Sequence, residues 1–378
     1  MPFLAQAGHE HFYLPELLTN NDLEGLVLQI AHGGPSGLGY LTSRGGVVLV
    51  DPQTYKLADP NVSLTQRMES LPFVGLWPGG TGLRDAARRV PFVQEVLQTQ
   101  LEMGATDLIS PYLFVEDASG PALEHTLEMA EDCRQIVGTS RRVWAGLYVA
   151  GSELKRPQRR DQLLNLVTSS SIDHCYLIVD PEQAGNGPIS DEGLIRALRH
   201  VVRVLELNDI RVMLGYSDPV GLLLMADGLS AFASGVRASL RRLRIAAQRR
   251  GGGGGRPAHR RYYVPRLMNF VRVDTELRPT IARLTESGTF VCQCRYCQTN
   301  LPALAAGQFD SANAHRHFVA RLTEDARALS SMDLAERLPE VRRVIQGAAA
   351  AYDRLAEAGI DLSGDSGADH VRAWQKVF

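Results

Sequence analysis

The chain has 378 residues, 44% of them hydrophobic, and its 40 lysines and arginines nearly balance 42 aspartates and glutamates, leaving a formal charge of −2. That is apolar material for one large core or two ordinary ones. No apolar run reaches spanning length and the N-terminus lacks the basic, apolar and small-residue succession of a signal peptide, which excludes a membrane-spanning protein and predicts a cytoplasmic one with no membrane partner.

Short apolar runs at Leu26 to Ile30 and Gly46 to Val50 read as buried strands, the second running into Asp51-Pro52-Gln53-Thr54-Tyr55. Phe73 to Leu76 is a third such run, and a helical segment follows from Val90 to Met103. Strand-like Asp107 to Ile109, a loop to Gly120 and an amphipathic helix Ala122 to Val137 come next. Beyond them lie a strand at Val143 to Val149, a helix near Arg159 to Leu166 and a strand at Cys175 to Val179. The helix Asp191 to Leu205, the strand Arg211 to Leu214, the short helix Pro219 to Ala226 and the strand Leu229 to Phe232 complete the series. Strand and helix thus alternate with short connections, which predicts parallel strands joined by crossover helices. About eight strand candidates favour an α/β fold of the closed (β/α)8 TIM type over an open doubly wound sheet. No dinucleotide fingerprint or glycine-rich phosphate loop opens any of the helices.

From Gly228 to Val273 there is no acidic residue, while eleven arginines fall there, among them Arg249, Arg250, Arg260 and Arg261. Such a stripe is the footprint of a polyanion, because each phosphate contact releases counterions. We therefore read residues 237 to 262 as a basic insertion in a barrel of residues 1–280, with tRNA or DNA as the expected partner. Glycines 251 to 255 within it form a flexible run by composition.

Cys292, Cys294 and Cys297 are too closely spaced for a disulfide framework and always leave one thiol over. They can instead close three corners of a zinc tetrahedron, with a histidine at the fourth, and a site so filled is structural. Cys133 and Cys175 stand apart, as expected in a reducing compartment. Two histidines compete for the fourth corner on a helix that starts at Asp310 or Ser311. His315 shares a face with Phe318, Val319 and Leu322, whereas His317 aligns with Arg321 and Glu324, so the inward-facing stripe selects His315. Residues 281–378 are accordingly expected to form a Zn2+-binding subdomain with a helical tail.

The pattern C-x-C-x-x-C followed by a more distant histidine resembles the zinc site of the tRNA-guanine transglycosylase superfamily, although the gap before the histidine is shorter here. Leu214-Gly-Tyr-Ser-Asp-Pro-Val-Gly-Leu-Leu and Leu123 to Cys133 are similar to other segments of that family. The resemblance implies a base-exchanging enzyme that replaces guanine with a 7-deazaguanine-type base in tRNA or DNA. It also implies a homodimer, or a heterodimer with an active member.

Residue by residue, the resemblance makes Asp51 the acid/base and Tyr55 the ring that stacks on the base, though the family's glycines between them are Pro52, Gln53 and Thr54 here. The nucleophilic aspartate corresponds to Ala233, which cannot attack an anomeric carbon. The base-recognising glutamine-glycine-glycine becomes Val149-Ala150-Gly151, and another substrate-binding aspartate becomes Leu113, with Glu116 and Asp117 close by. Asp180 and Glu182, at the C-terminal end of a strand where barrel active sites lie, are the candidates for a relocated catalytic carboxylate and a substrate contact. Ser230 and Ser234 are weaker nucleophile candidates because no histidine base accompanies them. Asp51 also reads as a strand-end aspartate capping a turn before proline, and Asp180 with Glu182 as a solvent-exposed acidic turn before Pro181 and Gly185. Two functions compete: base exchange, and a catalytically degenerate relative that binds nucleic acid or serves an active partner. An unrelated barrel enzyme working through Asp51, Asp180 or Glu182 is the third possibility.

Overall fold

Short β-rich runs separated by helices lead into parallel pairing, since each strand end must be carried back across the sheet by a crossover. A computed structural model of the chain describes residues 2–8, 14–32, 46–249, 259–281, 292, 294–306 and 308–378. Its first strands are β1 (Phe3–Ala7), β2 (Gly25–Gln29), β3 (Val47–Asp51), β4 (Leu108–Ile109) and β5 (Phe114–Val115). They are followed by β6 (Val143–Ala150), β7 (His174–Asp180), β8 (Arg211–Gly215) and β9 (Ala231–Ser234).

The strands run parallel in the order β3-β2-β1-β9-β8-β7-β6-β4, with β5 also on β6. This path bends into a nearly closed eight-stranded barrel. At its last seam the Thr106 N–H donates to the Val48 carbonyl at 2.8 Å, and the Val48 N–H to Thr106 Oγ1 at 3.0 Å. The helices α1 (Ala86–Glu102), α2 (Pro121–Val137), α3 (Pro157–Ser169) and α4 (Glu192–Leu207) lie around it.

Alternation along each strand divides the core in two. On β6, Val143, Ala145, Leu147 and Val149 face the helices, while Trp144 and Tyr148 fill the barrel. On α4, Asp191 caps the first turn by accepting from the Leu194 N–H at 3.0 Å. Leu194, Ile195, Leu198, Val201, Val202 and Leu205, spaced as one helical stripe, are its buried face.

Two expectations change. Phe73 to Leu76 is a turn of 3-10 helix, with Pro72 in its first turn and Pro78 just beyond, so flanking prolines convert an apolar run into a turn. The strand that takes its place in the ring is Phe3–Ala7, which is buried throughout and shows no alternation to reveal it. It pairs with both β2 and β9.

Past the barrel, β10 (Arg261–Val264) and β11 (Asn269–Arg272) form an antiparallel hairpin. The helices α5 (Arg295–Ala305), α6 (Ser311–Ser330), α7 (Leu334–Glu357) and α8 (Asp369–Val377) follow. They are tied to the barrel. The Tyr296 hydroxyl donates to Asp22 at 2.8 Å, Arg327 pairs with Glu24 at 2.7 Å, and the buried Trp374 donates its indole N–H to the Ile189 carbonyl at 3.0 Å. No helix among the described residues is long and apolar enough to cross a membrane.

Candidate metal centre and barrel mouth

Cys294 sits at the N-cap of α5, and its sulfur accepts the Cys297 N–H at 3.4 Å, so the helix start holds two of the thiols together. Its positive end also favours thiolate over thiol. The histidine that meets them is His317, on α6. Its Nδ1 lies 3.3 Å from the Cys294 sulfur and 3.2 Å from that of Cys297. The ligand atoms of Cys292, Cys294, Cys297 and His317 all lie within 4.8 Å of one another, close enough to share one ion. His317 Nε2 is 3.0 Å from the Tyr263 carbonyl, an acceptor that places the ring proton on Nε2 and leaves Nδ1 free to ligate.

The expected ligand His315 is thereby replaced. It is half-buried two positions earlier, and burial, together with Arg237, holds its imidazole down at about 4. The apolar stripe misled because α6 is covered on two sides: Phe318, Val319 and Leu322 belong to the core, while His317 points at β10. There the Tyr262 ring stacks on the imidazole at 4.9 Å and 5°. The Tyr262 hydroxyl in turn hydrogen-bonds the Cys297 sulfur.

The electrostatics call for a cation. Burial pulls the His317 imidazolium down, but Cys292 and Cys294 outweigh it and push the group up to about 9. The Cys292 thiol is held well below its ordinary range by Cys294 and Cys297. Three sulfurs and one imidazole crowded this closely are a donor set that a divalent ion could bind.

The barrel mouth is the opposite case. Asp51 ends β3 with no exposed surface, and every part of its carboxylate is already bonded. Tyr112 donates to Oδ1 at 2.6 Å, Tyr216 to Oδ2 at 2.6 Å, and the Gln53 N–H to Oδ1 at 3.1 Å. Burial raises the Asp51 pKa, and the two tyrosines partly offset the rise. Tyr55 is also sealed, its ring stacked on Tyr112 at 5.9 Å and edge-on to Tyr148 at 5.1 Å, so no face is open to a base. Ala233 is fully buried on β9 inside the barrel. Ser234 is buried, and Ser230 donates to Glu206 at 2.7 Å.

Asp180 repeats the device of Asp51. Each aspartate ends a strand before proline and accepts the N–H of a residue held at positive φ, Gln53 at 51° and Glu182 at 53°. The second Asp180 oxygen accepts the Ile245 N–H at 2.7 Å. Glu182 accepts from the Ser152 N–H at 2.6 Å and from its hydroxyl at 3.1 Å. Asp180 and Glu182 nevertheless border a cavity of about 800 Å³ with Phe114, Glu116 and Arg244. Leu113 is buried, and Asp117 caps its own turn through the Ser119 N–H.

Part of the arginine stripe is folded into ion pairs. Arg249 meets Asp59 at 2.6 Å, Arg260 meets Asp274 at 2.5 Å, and Arg261 meets Asp365 at 2.9 Å. Arg241 is buried over the Phe270 ring, and Arg242 is buried 3.6 Å from Asp218. Arg250 lies outside the described residues.

Sequence reasoning weighed His317 and set it aside for His315; the groups it did not single out are Tyr262, Tyr112 and Tyr216. Nothing local in the sequence marks the tyrosines, which converge on their partners from different strands and loops. No protein-family model matches the chain, and no curated protein matches it. Among solved structures, the chain is similar to the cobalamin-dependent S-adenosylmethionine radical enzyme OxsB with aqua-cobalamin bound, at 10% identity and a TM-score of 0.25, over 97% of this chain and 77% of that one. A likeness this loose carries no inference about function.

Proposed function

We propose that the chain is a zinc-holding barrel of the (β/α)8 TIM type, related to the tRNA-guanine transglycosylases, which has given up base exchange and serves as the non-catalytic partner of an active enzyme on tRNA or DNA. The observation that carries this reading is the closure of Asp51, whose two oxygens are taken by Tyr112 and Tyr216 in a place with no exposed surface. Base exchange requires a carboxylate at the anomeric carbon and an acid/base beside the departing guanine. Ala233 offers no carboxylate, and Asp51 can reach no substrate without breaking its own network. Tyr55 is likewise enclosed, so a guanine-type base has no ring to stack on. A structural Zn2+ on Cys292, Cys294, Cys297 and His317 fits the donor set, four protein ligands leaving no position open for substrate.

Two measurements test the reading. Purified zinc-loaded chain, alone, is expected to incorporate labelled guanine into tRNA and duplex DNA no faster than a protein-free blank. Tagged chain recovered from its native cells is expected to carry guanine-exchange activity that the chain purified alone lacks. Incorporation by the isolated chain that disappears in Asp51→Asn would overturn the reading, as would an inactive native eluate.

A further inference from the structure

A groove of about 450 Å³ opens among the β10–β11 turn, the C-terminal half of α6 and the middle of α7, and none of Cys292, Cys294, Cys297 and His317 lines it. Its apolar lining is Leu222, Met268, Leu329, Met332 and Val344. Four arginines, Arg266, Arg321, Arg343 and Arg354, stand on it against two carboxylates, Asp325 and Glu340. The carboxylates are already matched, Arg321 to Asp325 at 2.5 Å and Arg343 to Glu340 at 2.5 Å. Arg321 also meets Glu324 at 2.9 Å, while Arg266 and Arg354 enter no ion pair among the described residues, so two unpaired guanidinium groups stand above an apolar floor. Gly347 lines the same groove from mid-helix, where glycine is a poorer helix former than alanine. A Cβ there would meet nothing within 4 Å, so the space over the helix is open.

We propose that this groove binds an amphiphilic organic anion, its head held by Arg266 and Arg354 and its aliphatic body laid on Met268, Leu329, Met332 and Val344. The volume falls within the roughly 300–1,000 Å³ of small-molecule sites. Methionines suit an unbranched chain because their thioethers adapt to its shape. The site is independent of the reading of the barrel as inactive.

Calorimetric titration of the zinc-loaded full chain tests it, with decanoate as the probe. Decyltrimethylammonium has the same tail with the charge reversed, and inorganic phosphate has charge with no tail. Decanoate is expected to bind saturably and the other two not to. Arg266→Glu combined with Arg354→Glu is expected to weaken decanoate at least about tenfold. Gly347→Leu, which fills the floor with a better helix former, is expected to abolish binding while leaving the circular dichroism spectrum and zinc content unchanged. Equal binding of decyltrimethylammonium or phosphate, an affinity unaltered in both variants, or no saturable decanoate binding would each overturn the proposal. Phosphatidylglycerol vesicles separate a free amphiphile from a membrane headgroup, and binding to vesicles without binding to decanoate would overturn it too.

Discussion

The metal centre and the barrel mouth both gather titratable side chains, yet they are chemically opposed. At the first, Cys292, Cys294, Cys297 and His317 converge with their ligand atoms within 4.8 Å of one another. At the second, Asp51 is met by Tyr112, Tyr216 and the Gln53 N–H, and both of its oxygens are taken. Four ligand atoms within reach of one ion could hold a metal, whereas a carboxylate whose oxygens are both bonded within the protein offers none to a ligand. Position in the fold would have suggested the reverse, since barrels work at the C-terminal ends of their strands.

The sharpest way to break this contrast is at the metal. His317→Ala and Cys294→Ser are expected to lose bound zinc and roughly 3–5 kcal/mol of stability, while His315→Ala keeps the metal. Elemental analysis with urea denaturation decides it, and a zinc-free His315→Ala with zinc-loaded His317→Ala would reverse the ligand assignment.

Asp51→Asn comes next, at about 1–3 kcal/mol, because one tyrosine hydroxyl must then find a new partner. Burial raises the Asp51 pKa above 3.8, so the folded chain retains a proton that the unfolded chain loses. Stability from this group is therefore greatest below the unfolded value and declines as pH rises through the folded one. The advantage of wild type over Asp51→Asn should shrink as pH rises from below the unfolded carboxyl value through the raised folded one, and a widening gap would contradict the burial argument.

Tyr262→Phe removes the hydroxyl on Cys297 without touching a ligand, and should weaken zinc about 10- to 100-fold in competition with a chromogenic chelator. Unchanged affinity would reduce Tyr262 to a packing residue. The smallest effect belongs to the arginines. Replacing Arg249, Arg260 and Arg261 with glutamine should cost up to about 1 kcal/mol each and leave the salt dependence of nucleic acid binding unaltered, because their charges are already paired. A flattened salt slope would restore the stripe as a phosphate-binding surface.

What could be read from the sequence follows from how local each signal is. Alternating strands and helices showed the barrel, and the thiol spacing showed three ligands, because both patterns lie within a few neighbouring residues. The exchange of Phe73–Leu76 for Phe3–Ala7 in the ring depended on prolines at one segment and on two-sided burial at the other. His317 was hidden because helical periodicity identifies one buried face and α6 has two. The arginine stripe looked free because Asp59 and Asp365 lie far from it along the chain. Tyr112 and Tyr216 reach Asp51 only once the barrel has formed, so no reading of neighbours could place them there.

The pairing of β1 with β9 also sets an order of events during synthesis. Phe3 lies beside Phe232, so the first strand must wait, with one edge bare, until the ninth has left the ribosome. The thiols and His317 emerge later still, and the cluster they form with α6 can assemble only after that. A nascent chain short of residue 234 therefore carries an exposed strand edge, and factors that shield such edges are expected to engage it in that interval.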